Sequence, residues 1–200
     1  MRIWSIQSEK AWDYLNHHGT LKANAAHRSG EWPHAYDWMY DQLIQRIGPP
    51  AHNDIVPLWG WYQWAGENLR RPDLRSLRHH WGPNGDYIMI ECEIPDNEIL
   101  LSDHDAWHVP LGNSYLAFNE AEDNQFDKKL KQAGWKYGQP RPQSLLPEIH
   151  KSWERIFDLE ALSGEYWGLM KDKSIQASFW DIRLDQVKSA KLFTSKRLKP

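Results

Sequence analysis

The chain opens on a strict alternation. Ile3 and Ser5 point one way, Trp4 and Ile6 the other, and Ser8 bounds the run, which predicts a short first strand over residues 2–7. With Ser8 as cap, Ala11, Trp12 and Leu15 form one apolar face, and Gly19 supplies a left-handed stop before a second strand begins at Thr20–Lys22. Ala23–Trp32 has no clear period and reads as loop. Pro33 suits a first helical turn, and Ala35, Met39, Leu43 and Ile47 follow at four-residue steps until Gly48-Pro49-Pro50, predicting a helix between them.

Ile55–Tyr62 is rich in branched and aromatic residues, with Pro57 and Gly60 inside it arguing for an edge position or a bulge. An arginine-bearing loop leads to the turn Pro83-Asn84-Gly85-Asp86. Ile88, Ile90, Cys92 and Ile94 then alternate with polar neighbours as a half-buried strand, and Ile99-Leu100-Leu101 forms another. Glu120–Lys131 predicts a charged surface helix anchored by Phe126 and Leu130. Leu146–Leu159 carries Ile149, Trp153, Ile156 and Phe157 at helical spacing, and Ser174–Leu184 closes as a strand. The sum predicts an α+β fold, read as a single domain over residues 1–200.

Composition changes this picture in one respect. Thirteen of the 200 residues are tryptophan, three of them within Trp59-Gly60-Trp61-Tyr62-Gln63-Trp64, far more than helix or strand formation requires. Each indole offers a broad apolar face and an N–H that needs a partner when buried, so the set serves an aromatic core or a stacking site. Most of the rings are expected in the core, and some in a pocket. A net charge of −3 gives no global basic field for polyanions, so any nucleic-acid contact must be local. The single cysteine, Cys92, excludes an internal disulfide and is expected to be a small buried hydrophobe. No apolar leader or membrane-spanning run is visible, which predicts a cytosolic protein.

Candidate chemistry gathers in two places. Asp103 and Asp105 with His104 and His108 are the densest set of proton carriers, set where a strand ends; no metal is expected there. Arg70, Arg71, Arg75 and Arg78 form the basic concentration, with guanidiniums suited to phosphate and tryptophans on either side. The pairs His17-His18 and His79-His80 lack ligand-spaced partners and are expected to be exposed.

Met1–Gln7, Ala35-Tyr36-Asp37-Trp38-Met39, Leu58–Gln63, Leu100–His108 and Ile175–Trp180 together resemble an uncharacterised bacterial family, domain of unknown function 3841. That resemblance brings no chemistry. A second resemblance, carried by strand, helix, glycine, strand at the start and by Tyr87–Pro95 later, is to the ADP-ribosyltransferase-like fold. It implies a bent or split mixed sheet, flanked by helices, that holds NAD in a cleft. Ser5 or Gln7 would then stand where relatives grip the cofactor, Trp59, Trp61 or Tyr36 would stack, Arg75 would meet phosphate, and Gln176 or Asp105 would orient the ribose, with Asp103 and His108 beside them. The expected ligand is therefore a nucleotide-like molecule such as NAD. The alternative is a non-enzymatic module binding single-stranded nucleic acid or a protein partner through tryptophan and arginine.

Overall fold

A strand whose residues are apolar on both sides needs cover on both faces. Ile3, Trp4, Ser5 and Ile6 are all buried, and β1 (Arg2–Ser8) accordingly lies inside a sheet, not at its edge. The computed structural model describes residues 1–27, 30–79 and 81–196. Among them, β1 joins β4 (Leu58–Gln63), β5 (Gly85–Glu93), β6 (Leu100–Asp103), β7 (Ile175–Phe179) and β9 (Val187–Ser195) in a six-stranded sheet of order β6-β7-β4-β1-β5-β9. A smaller sheet has the order β3-β2-β8, from β2 (Thr20–Asn24), β3 (Ile55–Val56) and β8 (Asp181–Arg183). The α+β class holds. Every pairing given by the registers is antiparallel, where a mixed sheet had been expected.

Cross-strand partners share a face. Trp4 pairs with Trp61, Trp61 with Gln176, and Gln176 with Ser102, while Trp59 pairs with Ser178 and Ser178 with Leu100. The opposite face carries Ile3, Ile88, Ile90, Cys92, Ala177 and Phe179, covered by Leu15 of α1 (Glu9–His18) and by Leu21 and Ile182 of the small sheet. Gly60 lies on that side because a Cβ there would stand 2.6 Å from Ile3 Cγ2 and 3.2 Å from the Trp4 carbonyl. The glycine marks a close approach inside the sheet and not an edge. A bulge does follow it, between Trp61 and Gln63.

The expected helices form, although the run at Leu146–Leu159 is α-helical only to Trp153 and continues as a 3-10 turn at Glu154–Phe157, and the helices at Leu74–Leu77 and His104–Leu111 were not expected. Ser8 Oγ caps α1, and Gly19, at φ 75°, stops it. Residues α2 (Pro33–Ile47), α4 (His104–Leu111), α5 (Glu120–Gln132) and α6 (Leu146–Trp153) pack Met39, Leu43, Trp107, Phe126, Ile149 and Trp153 into the largest core cluster. The arginine loop contains α3 (Leu74–Leu77), capped by Asp73.

Two expected strands prove to be two strands each. Pro57 divides β3 from β4 and Trp180 divides β7 from β8, so each run leaves one sheet and enters the other. The two joints adjoin, since Leu58 pairs with Phe179. The strand β9 has mostly exposed residues and lacks the apolar alternation that reveals its neighbours. In the presumed loop at Ala23–Trp32, β2 runs on to Asn24 and a 3-10 turn follows at Ala25–His27, while Arg28 and Ser29 lie outside the described residues, as does His80. His17, His18 and His79 are exposed as expected. No helix among the described residues is long and apolar enough to cross a membrane.

Candidate functional site

The site begins where the large sheet forks. The ladder between β1 and β4 pairs Trp4 with Trp61, after which β1 stays with β5 as far as Ser8 while β4 stays with β7. Ser5 Oγ reaches across and donates to the Trp59 carbonyl at 2.8 Å, and Gln7 Nε2 donates to Ser5 Oγ at 2.8 Å. Beyond this side-chain bridge the strands part around a cleft of about 620 Å³. Gln7, Trp59, Trp61 and Gln176 line it together, from three strands of the sheet. Ser5 is fully buried and belongs to the bridge, not to the lining.

Sequence reasoning did not identify the rest of the wall. Lys10 of α1 and Lys22 of β2 stand at it, with Tyr14, Asn24 and Trp81. Among the described residues neither lysine takes part in an ion pair, unlike most of the arginines. A lone lysine on a helix or strand carries no signal by itself. These two acquire meaning only because Gly19 turns the chain back and brings α1 and β2 to one side of the cleft.

The face behind Trp61 is polar in a way that the helical core is not. Ser102 Oγ and Ser178 Oγ are buried with no hydrogen-bond partner among the described residues, and the buried amide oxygen of Gln176 lies beside the buried imidazole of His104. Three of them are set side by side by the β6-β7 register, and His104 begins the helix that follows β6. Buried polar groups are nearly always paired, so such a cluster calls for a functional explanation. Gln176 sits next to the His104 ring and favours its charged form, as do Asp105 and Asp103. Burial first, and the neighbouring His108 second, outweigh them and hold the imidazole below its ordinary range.

The remaining predicted residues divide among three places. Asp103 is 1 % exposed: Oδ1 accepts from the backbone N–H of Asp105 and Ala106, capping α4, and Oδ2 forms a buried ion pair with Lys173. Both oxygens are committed to holding the helix, and removing either partner would strand a buried charge. Asp105 and His108 are exposed on the first turns of α4, joined to the cleft only through His104, whose ring lies 4.9 Å from that of Trp61 and 5.0 Å from that of His108. Arg75 is 91 % exposed and bonded to the Asp73 carboxylate at 3.0 and 3.1 Å; it does not reach the cleft. Its salt partner in turn lies below the usual carboxylate range through that hydrogen bonding. Tyr36 meets Trp59 and Trp107 edge-on from the core side, and burial raises its phenol. Burial likewise pushes the Cys92 thiol up to about 12, in keeping with an inert core residue.

The tryptophans divide as expected between interior and opening. Trp153 is fully buried and Trp107 nearly so, whereas Trp59, Trp64 and Trp81 keep part of their surface open. Trp61 lines the cleft yet is only 6 % exposed, so it serves both.

A family profile described as Domain of unknown function (DUF3841) matches residues 2–188. The chain belongs to that family. No curated protein and no solved structure matches it. The match covers the forked cleft, the small sheet and all of the large sheet except most of β9, and it assigns no activity to them.

Proposed function

We propose that the forked cleft binds a nucleotide-like ligand, with NAD and ADP-ribosyl transfer as the specific reading. The observation that carries this is the convergence of Gln7, Trp59, Trp61 and Gln176 on one opening of about 620 Å³, within the size range of small-molecule and cofactor sites. Trp59, partly open, is the stacking surface. Lys10 and Lys22 would take the phosphates, the part first given to Arg75, because they stand at the wall with no carboxylate partner among the described residues. The Gln176 amide, at the cleft wall beside His104, would meet a ribose hydroxyl.

In such a transfer the bond from ribose C1′ to the nicotinamide nitrogen breaks, its electron pair leaves with nicotinamide, and an acceptor nucleophile bonds to C1′. The ribose passes through an oxocarbenium-like state, which positioned dipoles stabilise. Gln176 supplies a neutral carbonyl dipole there, weaker than a carboxylate but free of the cost of burying a charge. Asp105 and His108 lie behind His104 and would act only through it. The nucleic-acid alternative draws less support, because Arg75 is paired with Asp73 and Arg70 is stacked on Tyr62 at 4.3 Å.

Titration with NAD, followed by calorimetry and indole fluorescence, should give saturable one-to-one binding with weak salt dependence, and released nicotinamide reports turnover. Gln176→Ala should suppress release more than binding. No interaction with NAD, together with steeply salt-dependent binding of a mixed oligonucleotide, would overturn the reading in favour of the alternative.

A further inference from the structure

We infer that His104, Asp105 and His108 form a binding site for one divalent first-row metal ion of the Zn²⁺ type. At about 100° per residue, these three positions fall within an arc of about 100° on one helix face. One ligand atom from each side chain lies within 4.8 Å of the other two. The two rings meet edge-on with centroids 5.0 Å apart. Zinc holds nitrogen at about 2.0–2.1 Å and oxygen at about 2.0–2.2 Å, so ligands in a tetrahedral site stand about 3.4 Å apart, and the remaining closure is at most about 1.4 Å. Asp105 and His108, both exposed, can make it by side-chain rotation.

The donor set decides the kind of ion. Two imidazoles and a carboxylate suit zinc, cobalt, nickel or copper and do not suit calcium or magnesium, and three protein ligands leave a position open for water or a substrate atom. Nδ1 of His108 lies 3.0 Å from the His104 carbonyl oxygen. A donor at Nδ1 would leave Nε2 as the nitrogen free to ligate.

The positive end of the helix opposes a cation, and the Asp105 carboxylate offsets it. Asp103 does not contribute, its charge being matched by Lys173. The His104 ring also contacts Trp61, and Gln176 lies next to it, so an ion bound here would be sensed in the cleft through those two residues.

The test uses the full chain, freed of metal by a chelator and titrated with Zn²⁺ by calorimetry. One equivalent should bind, and Co²⁺ should give a visible absorption band that Zn²⁺ abolishes. His108→Ala should weaken binding by at least about tenfold, Asp105→Asn by less, and His17→Ala, in an exposed pair on α1, should change nothing. Circular dichroism of the exposed-site variants should match the parent. Absence of one-to-one uptake, or uptake of undiminished strength in a folded His108→Ala variant, would overturn the assignment.

Discussion

Two aromatic regions of this molecule obey opposite rules. In the helical core, Trp153 donates to the Ser114 carbonyl at 2.7 Å, Trp167 to the Ala117 carbonyl at 2.7 Å, and Trp180 to the Gly48 carbonyl at 2.9 Å. Arg155, inserted over Phe118 at 4.2 Å and paired with Glu122 at 2.8 Å, is likewise matched. At the fork, by contrast, Trp59 keeps an open face, Lys10 and Lys22 form no ion pair among the described residues, and Trp4 Nε1, Ser102 Oγ and Ser178 Oγ are buried with no hydrogen-bond partner there. The same residue type thus closes one region and leaves the other receptive. What separates them is hydrogen-bond satisfaction, since indole content is similar in both.

The largest expected effect comes from breaking the closed region. Trp153→Ala removes a fully buried ring and leaves the Ser114 carbonyl without its donor, and should cost about 3–5 kcal/mol, read as a lower midpoint in urea denaturation. Loss of less than about 1 kcal/mol would mean that the core reading of this indole is mistaken. The second prediction exchanges the effects. Trp59→Ala should cost less than half as much stability and weaken nucleotide binding by about tenfold, the loss of about 1–3 kcal/mol typical of one stacked base. Trp61, 6 % exposed, should lose stability and binding together, so Trp59 is the cleaner probe.

The smallest effect concerns acid. Burial, and then the charge of His34, hold the His150 imidazole below its ordinary range, with its ring 4.4 Å from that of Trp153. The unfolded chain therefore takes up a proton that the folded one resists. This contribution is intact above about pH 6.5 and is lost as the pH falls below that value toward the lowered folded pKa. His150→Gln should flatten the decline of Tm across that window. An unaltered acid slope would place the sensitivity elsewhere.

Much of the frame was legible because local rules agree with the fold. Ser8 and Gly19 bracket α1, and Pro33 and Gly48 bracket α2, through capping chemistry that needs no tertiary help. Pro57 was legible as a disturbance, though it marks a change of sheet and not an edge. The strand β9 was illegible, since an exposed edge buries almost nothing and leaves no alternation to read. At the site, Gln7 and Gln176 could be named through the fold resemblance and Trp59 and Trp61 through the crowding of tryptophans, while Lys10 and Lys22 depended on how α1 and β2 fold back. The engagement of Asp103 with Lys173 spans 70 residues, a distance over which no local pattern speaks. His104 and His108 have a ligand spacing in plain view, but it becomes a shared face only once residues 104–111 are helical.

Pro57 and Trp180, paired neighbours through Leu58 and Phe179, are where both chain segments cross between the two sheets. A rotation of one sheet against the other would bend the chain at those two residues, as well as at Leu184–Gln186, which joins β8 to β9. Because β2 walls the cleft from the small sheet and β4 from the large one, such a rotation sets the width of the opening. Trp180, tied to α2 through Gly48 and set edge-on against Tyr40, fastens that axle to the helical layer. The gape of the cleft is thereby geared to how α2 is seated.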